Sequence, residues 1–487
     1  MIEEMFLFYS AVCSPSERLF VSYLAGSGEW FPSPQVLSIQ NSLGIEPTSE
    51  KEHESSRIDT PACAFAYLAG HYRLDLPLRH TLSQYFSEHP CAPYQTLLRL
   101  ARPSAAVLQP ETSEQLFGRD ITVSPTSVER FHKCRFCYFC YHGLRARTLR
   151  PVELDVLNRG TLVHFVIENL FNQYTSKGLI KIPAEKCRED IHRLVCQFVQ
   201  TDMGGLESKP KKFIYQLESV ESLLWLVVDH MARELADSRF ITAQCELPIG
   251  RSDPRSIPAF TVPLPRGGSI HITGVIDRLD VFEQKGTTYF RVVDYKTGTK
   301  EFRLDDIYYG IGLQMLIYLY AVQSELEASG KNGIPAGVLY MPARSVTAGD
   351  LDTNTAAVLD KKLKMKGIIL DDAVVTEAMD PKKTGLFVPL SFTSAGKLNL
   401  RYCSLASYDF FTKTRKKIED ILQQMGETLH GGDFSADPLD PVDQNGCEYC
   451  EFSAVCPDGG HGVHRKVPKL DKESKNRLYQ GGDIDAV

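Results

Sequence analysis

The chain has 487 residues, 43% of them hydrophobic and 24% charged, enough for roughly two to four domains or one large domain with insertions. A formal net charge of −7 argues against a generally basic nucleic-acid coat but leaves room for local patches, because the placement of charge matters more than its sum. No run of about 18 apolar residues occurs, and the start MIEEMFLFYS lacks the order of a signal peptide, so a soluble cytoplasmic protein with no membrane contact is expected.

In a reducing compartment the thirteen cysteines are read as metal or cluster ligands wherever they gather, not as a disulfide framework. From Met1 to about Gln40 a helix-like apolar piece is followed by Ser14-Pro15-Ser16 and a β-rich LFVSY, as at the end of a larger domain. The stretch from Ser42 to Thr60 has the low hydrophobicity of a linker or solvated loop. Helical patterns continue to about Ala105 and carry no functional signal.

Ser124 to Leu144 opens with a capping signature in which Thr126 caps a helix whose third residue is Glu129. Its body mixes Cys134, Cys137 and Cys140 with aromatics that at helical spacing are more often core than a base-stacking surface. The basic residues Lys133, Arg135, Arg145, Arg147 and Arg150 read either as a DNA-contacting patch or as a solvated face. Next comes an amphipathic helix from Gly160, with His164 and Glu168 one turn apart on one face. A second helix spans about Phe213 to Ala236. Cys245-Glu246-Leu247 then opens a strand in which Glu246 reads equally as an acid of a site or as an exposed strand residue.

Gly274 to Lys296 holds the strongest pattern: two alternating β-rich runs flank Glu283-Gln284-Lys285-Gly286, a hairpin. With the turn centred between Gln284 and Lys285, Asp277 stands opposite Val292 and diagonal to Asp294, about 7 Å away. Residues two apart share a strand face, so Asp294, Lys296 and Asp277 point the same way. Two carboxylates aimed at one point make a hard-cation site, and the lysine beside them holds or deprotonates a water. Further on, Asp305 or Asp306 starts a helix that carries Gln314 and Tyr318 four apart on one face. Lys361, Lys362, Lys364 and Lys366 form a basic cluster. A long helix runs from about Ser404 to Leu429 and ends at Gly431-Gly432.

Cys447, Cys450 and Cys456 have x2 and x5 spacing, which lets one turn present three thiolates to a zinc ion or to a 4Fe-4S cluster. Their fourth companion must lie far away in sequence, with Cys134, Cys137 and Cys140 as suppliers. Such a link staples the front of the domain to its back.

Taken together, GVIDRLD, VVDYKTG and LQMLIYLY, preceded by GTLVH and bracketed by CRFCYF and CEYCEFSAVC, resemble the nuclease domain of the B subunits of AddAB-type ATP-dependent helicase-nucleases. These belong to the PD-(D/E)XK nucleases, whose relatives include the RecB nuclease domain. The resemblance covers about Ile121 to Asp458. It implies an α/β fold with a restriction-endonuclease-like core, a mixed sheet flanked by helices, with helical insertions and an iron-sulfur staple. It makes His164, Asp277 and Asp294, with the Tyr295 carbonyl, ligands of Mg²⁺, and gives Lys296 the attacking water. Gln314 and Tyr318 fall in the family's Q-x-x-x-Y helix, and Cys134, Cys447, Cys450 and Cys456 hold a 4Fe-4S cluster that helps bind duplex ends. Arg135 stands where a proline often follows the first cysteine, and two more cysteines lie nearby. The N-terminal YSAVCSPSERLFVSY is similar to the last helicase-like motif of the same family.

The expected division is therefore a helicase-like remnant over 1–115, a nuclease domain over 116–465 and a flexible tail over 466–487. The expected activity is Mg²⁺-dependent cleavage of the 5′-terminated strand, on double-stranded DNA ends and single-stranded DNA, in a heterodimer with an A subunit. No G-x-x-x-x-G-K-[ST] loop occurs, so ATP is not bound by that device. Two competing readings are a non-catalytic DNA-binding scaffold and a zinc-stapled interaction module.

Overall fold

The structure, a computed structural model, describes residues 2–23, 32–47, 58–72, 74, 76–101, 107–147, 156–205, 209, 211–298, 302–343, 356–442, 444–457 and 464–482. Arg150, the inner part of the polar stretch and the last residues of the tail lie outside them. The chain divides into two compact units, Met1–Pro103 and Ser104–Val487.

In the first unit the helices Pro61–His71, Pro77–Glu88 and Ala92–Ala101 close over Ala64, Leu68, Leu82, Phe86 and Tyr94. Thr60 caps the first of these by accepting from the Cys63 amide at 3.2 Å, and Pro61 follows at the position where a missing N–H costs nothing. The β-rich run expected near Leu19 forms no strand among the described residues.

In the second unit the strands include β1 (Ile121–Val123), β2 (Ile241–Ile249), β3 (Phe260–Pro263), β4 (Ser269–Ile272), β5 (Gly274–Gln284), β6 (Thr287–Lys296), β7 (Asn332–Pro342), β8 (Lys366–Leu370) and β9 (Leu405–Ala406), besides a short parallel pair, Leu439–Asp440 with Arg465–Lys466. The main sheet runs β2-β5-β6-β7-β8-β9, and β1, β4 and β3 form a small second sheet. β2, β5 and β6 are antiparallel neighbours, whereas β6 and β7 are parallel. A parallel pair cannot be joined by a tight turn, and the connection here carries the helix Gln314–Ala328. This is the mixed sheet flanked by helices that the sequence leads one to expect.

The β5–β6 hairpin departs from expectation in its register. Gln284 pairs with Thr287, so Lys285 and Gly286 alone form the turn, both left-handed at φ 50° and 81°. That is the type I′ geometry whose twist matches the flanking strands. The shift moves every cross-strand partner by two residues and leaves the faces unchanged.

The two faces of this hairpin serve different ends. On one, Arg278, Asp280 and Arg291 are completely buried and meet Glu234 of the helix Lys211–Asp237. Arg278 reaches Glu234 at 2.8 Å and Asp280 at 2.6 Å; Arg291 reaches the same two acids at 2.5 and 2.9 Å. Two cations and two anions balance, which is what allows charge to sit in a core. The other face carries Asp277 and Asp294 and lies toward the helix Gln314–Ala328.

Several local expectations are corrected. Ser124, not Thr126, caps the helix Pro125–Lys133, because Pro125 fills its first position and the Ser124 hydroxyl takes the Ser127 amide. Asp305 and Asp306 start only the short helix Leu304–Ile307; Gly310 and Gly312, both at positive φ, break the chain before Gln314 begins its own helix. Leu405 belongs to β9, and the long helix is Tyr408–Gly431, capped by Ser407 and closed by left-handed Gly432. The segment expected as a flexible tail contains the helix Lys472–Tyr479, with Leu478 buried. Asp305 anchors it, accepting the Leu470 amide at 2.6 Å and pairing with Lys475 at 2.7 Å.

Candidate functional site

The acids of the site come from three adjacent strands. The β5–β6 register, extended one pair beyond Arg278↔Val293, sets Asp277 directly against Asp294 instead of diagonal to it. On the other side the flanking pairs Cys245↔Arg278 and Leu247↔Ile276 bring Glu246 against Asp277. Glu246, Asp277 and Asp294 thus form a row with the sheet's spacing of about 4.8 Å. Glu246 interrupts the ladder with φ 48°, a left-handed backbone that costs a non-glycine residue about 1–2 kcal/mol. The kink accompanies a carboxylate turned toward His164.

His164 enters from the helix Val156–Leu179, its Nδ1 3.1 Å from Glu246 Oε1 and 3.6 Å from Asp277 Oδ2. One donor atom each from His164, Glu246 and Asp277 lie within 4.8 Å of one another. The Tyr295 amide donates to Asp277 Oδ2 at 2.9 Å, while the Tyr295 ring is buried on the opposite face with its hydroxyl 3.6 Å from Met231 Sδ. Lys296 Nζ stands 2.6 Å from Asp294 Oδ2, and Gln314 Nε2 donates to Asp294 Oδ1 at 3.3 Å. Tyr318, one turn after Gln314, hydrogen-bonds with the Val275 backbone and presses on Gly274 so closely that a Cβ there would lie 2.8 Å from its Cε1. Burial raises the Tyr318 hydroxyl to about 12, so it stays protonated. The structure therefore gathers His164, Asp277, Asp294, Tyr295, Lys296, Gln314 and Tyr318 and adds Glu246, which sequence reasoning left undecided between site and surface.

The electrostatics are those of a site with surplus negative charge. Burial and then the neighbouring Asp294 push the Asp277 carboxyl up to about 8. Burial alone would lower His164, but the Glu246 hydrogen bond and the charges of Asp277, Glu246 and Asp294 outweigh it and raise the imidazole to about 9. Protons thus do part of what a cation would do. Asp294 Oδ2 is buried and, although the Lys296 ammonium is near, it receives no hydrogen bond of normal geometry among the described residues. A carboxylate oxygen in that position, beside a set of oxygen and imidazole donors, fits a hard divalent ion.

A second constellation lies at the junction of the two halves of the unit. Cys134, Cys137, Cys447, Cys450 and Cys456 line one cavity of about 510 Å³, together with Arg130. Backbone amides of Cys137, Asp437 and Phe136 hydrogen-bond to the Cys134 sulfur, whose pKa burial nevertheless raises. The Cys137 thiol faces the Cys450 sulfur, and their interaction raises the Cys137 thiol and lowers that of Cys450. Cys140 is buried outside the cavity lining. The thiols converge from segments some three hundred residues apart, and among the described residues no three of their sulfurs lie within 4.8 Å of one another, a spread that suits the separate irons of a cluster better than a single zinc ion.

Arg135 fastens this junction without any metal. Its amide and Nε donate to Asp437 at 2.8 Å each, and its guanidinium also pairs with Asp433. A guanidinium so engaged has little left for a phosphate. Lys133 is half-exposed and pairs with Glu129 at 2.8 Å, and Arg145 is exposed at φ 54°. No helix of the described residues is long and apolar enough to cross a membrane.

The sequence profile of the PD-(D/E)XK nuclease superfamily matches residues 122–457. Among curated proteins, the chain is 28% identical to the B subunit of an ATP-dependent helicase/deoxyribonuclease of Clostridium botulinum (strain Langeland / NCTC 10281 / Type F), over 93% of this chain and 42% of that one. It is 30% identical to the protein of that name from Clostridium kluyveri (strain NBRC 12016), over 70% of this chain and 30% of the relative. With that of Alkaliphilus oremlandii (strain OhILAs) it shares 24% identity over 98% of its length and 44% of the relative's. The chain thus spans less than half the length of the relatives it matches.

Proposed function

Since the chain belongs to the PD-(D/E)XK nuclease superfamily, we propose that it is a Mg²⁺-dependent deoxyribonuclease working as part of an ATP-dependent helicase-nuclease. The relatives named as helicase/deoxyribonuclease B subunits support this, and they point to an A subunit as the partner and to DNA ends as the substrate. Cleavage of the 5′-terminated strand follows from the family resemblance. The observation that carries the nuclease reading is the meeting of Asp277, Asp294 and Lys296 on one face of the β5–β6 ribbon, within reach of His164.

In this reading His164, Glu246 and Asp277 would hold the metal, with Asp294 and the Tyr295 carbonyl completing its protein ligands. Bound Mg²⁺ supplies neutralisation of charge on the phosphoryl oxygens and a water of lowered pKa. Lys296, anchored by Asp294, orients the attacking water from the open side of the ribbon. Gln314 keeps the Asp294 carboxylate from rotating, and Tyr318 holds the start of β5 so that Asp277 stays in register. Arg278, behind Asp277, fixes the ribbon from beneath through Glu234 and Asp280. The cavity thiols Cys134, Cys447, Cys450 and Cys456 would hold a 4Fe-4S cluster that staples the unit, and Lys133 and Arg145 offer positive charge to a phosphate backbone.

The test is an end-labelled duplex assay on Asp294→Ala and Lys296→Ala together with metal analysis of the wild-type protein. Both variants should lose Mg²⁺-dependent cleavage while circular dichroism stays unchanged, and the labelled end that is released reports the strand polarity. Wild-type cleavage by either variant would overturn the assignment.

A further inference from the structure

Tyr340 of β7 lies directly beside Asp294 of β6 in the parallel register. Paired residues of neighbouring strands share a face, so the row Glu246, Asp277, Asp294 continues into a fourth strand at a phenol. A tyrosine reaches further from a sheet than an aspartate does. From the adjoining position its hydroxyl therefore rises past the Asp294 carboxylate, to the level at which a group gathered by that carboxylate lies.

Tyr340 is 3% exposed, yet among the described residues its hydroxyl makes no hydrogen bond. A buried phenol ordinarily has a partner, as Tyr320 has in the Phe411 carbonyl at 2.9 Å. The charges that act on the Tyr340 hydroxyl are those of Asp294 and Glu129, and both acids are otherwise engaged. Gln314 and Lys296 approach the two oxygens of Asp294, and Lys133 pairs with Glu129. Burial and these charges keep the hydroxyl protonated, a neutral donor in a site whose surplus negative charge repels a phosphate.

We propose that Tyr340 is a substrate-contacting residue of the acidic row, its hydroxyl donating a hydrogen bond to a non-bridging oxygen of the phosphodiester placed there for cleavage. As water attacks, negative charge grows on that oxygen, and a donor already fixed in place strengthens with it. No proton leaves the phenol in this step. The proposal rests on the nuclease reading above.

The experiment compares cleavage of an end-labelled duplex and thermal unfolding for the full chain as wild type, Tyr340→Phe, Tyr320→Phe and Asp294→Ala. Tyr340→Phe keeps the ring and removes only the hydroxyl. Its kcat should fall by about a hundredfold. KM, the Mg²⁺ concentration for half-maximal cleavage and the melting point should stay at wild-type values, because no hydrogen bond within the protein is broken. Tyr320→Phe, which strips the Phe411 carbonyl of its donor, should melt lower and keep the wild-type kcat. A wild-type kcat in Tyr340→Phe, or a melting point lowered as far as that of Tyr320→Phe, overturns the proposal and leaves the nuclease assignment standing. Cleavage that survives in Asp294→Ala overturns that assignment instead, and a wild type that cleaves no duplex overturns both.

Discussion

Replacing Arg291 by methionine removes one cation from a network that lies wholly inside the protein. Arg278, Asp280 and Arg291 have no exposed surface and Glu234 has 1%. Arg291 meets Glu234 at 2.5 Å and Asp280 at 2.9 Å, so its loss leaves two buried carboxylates sharing the Arg278 cation, with only the Thr242 hydroxyl also donating to Asp280. Methionine fills most of the volume, which confines the perturbation to charge. Breaking a buried pair in this way costs about 3–5 kcal/mol. With an unfolding entropy of about 2.1 cal/mol/K per residue, the unit 104–487 should melt about 4–6 °C lower. Thermal unfolding followed by circular dichroism at neutral pH reads this directly. Adding Glu234→Gln restores the balance while leaving an acceptor for Arg278, and the double variant should recover at least about half of the loss, with Glu234→Gln alone completing the cycle. A melting point within about 1 °C of wild type for Arg291→Met, or a double variant that falls by the sum of the singles, would show that charge balance is not what holds this face together.

Three further outcomes follow from the site and its supports. Glu246→Gln keeps the shape of the side chain but removes one charge from the cation site, so the Mg²⁺ concentration for half-maximal cleavage should rise about tenfold or more; an unchanged Mg²⁺ profile would place Glu246 outside the ligand set. Gly274→Ala pushes a methyl group into the Tyr318 ring, and a shift of about 1 Å there should cut the cleavage rate by roughly tenfold to a hundredfold with little change in melting point. Asp305 anchors the helix Lys472–Tyr479: burial opposes its ionisation, but the Lys475 hydrogen bond and the Leu470 amide outweigh burial and hold its carboxyl below the usual range. A depressed folded value means that the anchoring is present above an unfolded pKa of about 3.9 and is lost as pH falls through the lower folded value. Limited proteolysis after residue 465 should therefore stay slow at pH 5 and accelerate only in stronger acid, whereas Asp305→Ala should be cut readily at pH 7. Equal cutting of wild type and variant at pH 7 would refute the anchor.

Much of this protein is written in short-range pattern. The alternation of apolar and polar residues from Gly274 to Lys296 determines which side chains share a face, because successive Cβ atoms point to opposite sides of any strand. Asp277, Asp294 and Lys296 could be grouped on that ground alone. The x2 and x5 spacing of Cys447, Cys450 and Cys456 likewise marks a ligand turn, and Gly432 marks a helix end. Folding in three dimensions decided the rest. Lys285 accepts a left-handed conformation, which tightens the turn and sets the two aspartates directly opposite one another. Glu246 joins them only because β2 lies beside β5, a neighbour relation that no local periodicity encodes. Arg278 and Arg291 sit in the core because Glu234, more than forty residues earlier, arrives to neutralise them. Backbone geometry specifies faces and turns within a few residues, whereas the cost of desolvating a charge or a thiol depends on partners brought from far along the chain.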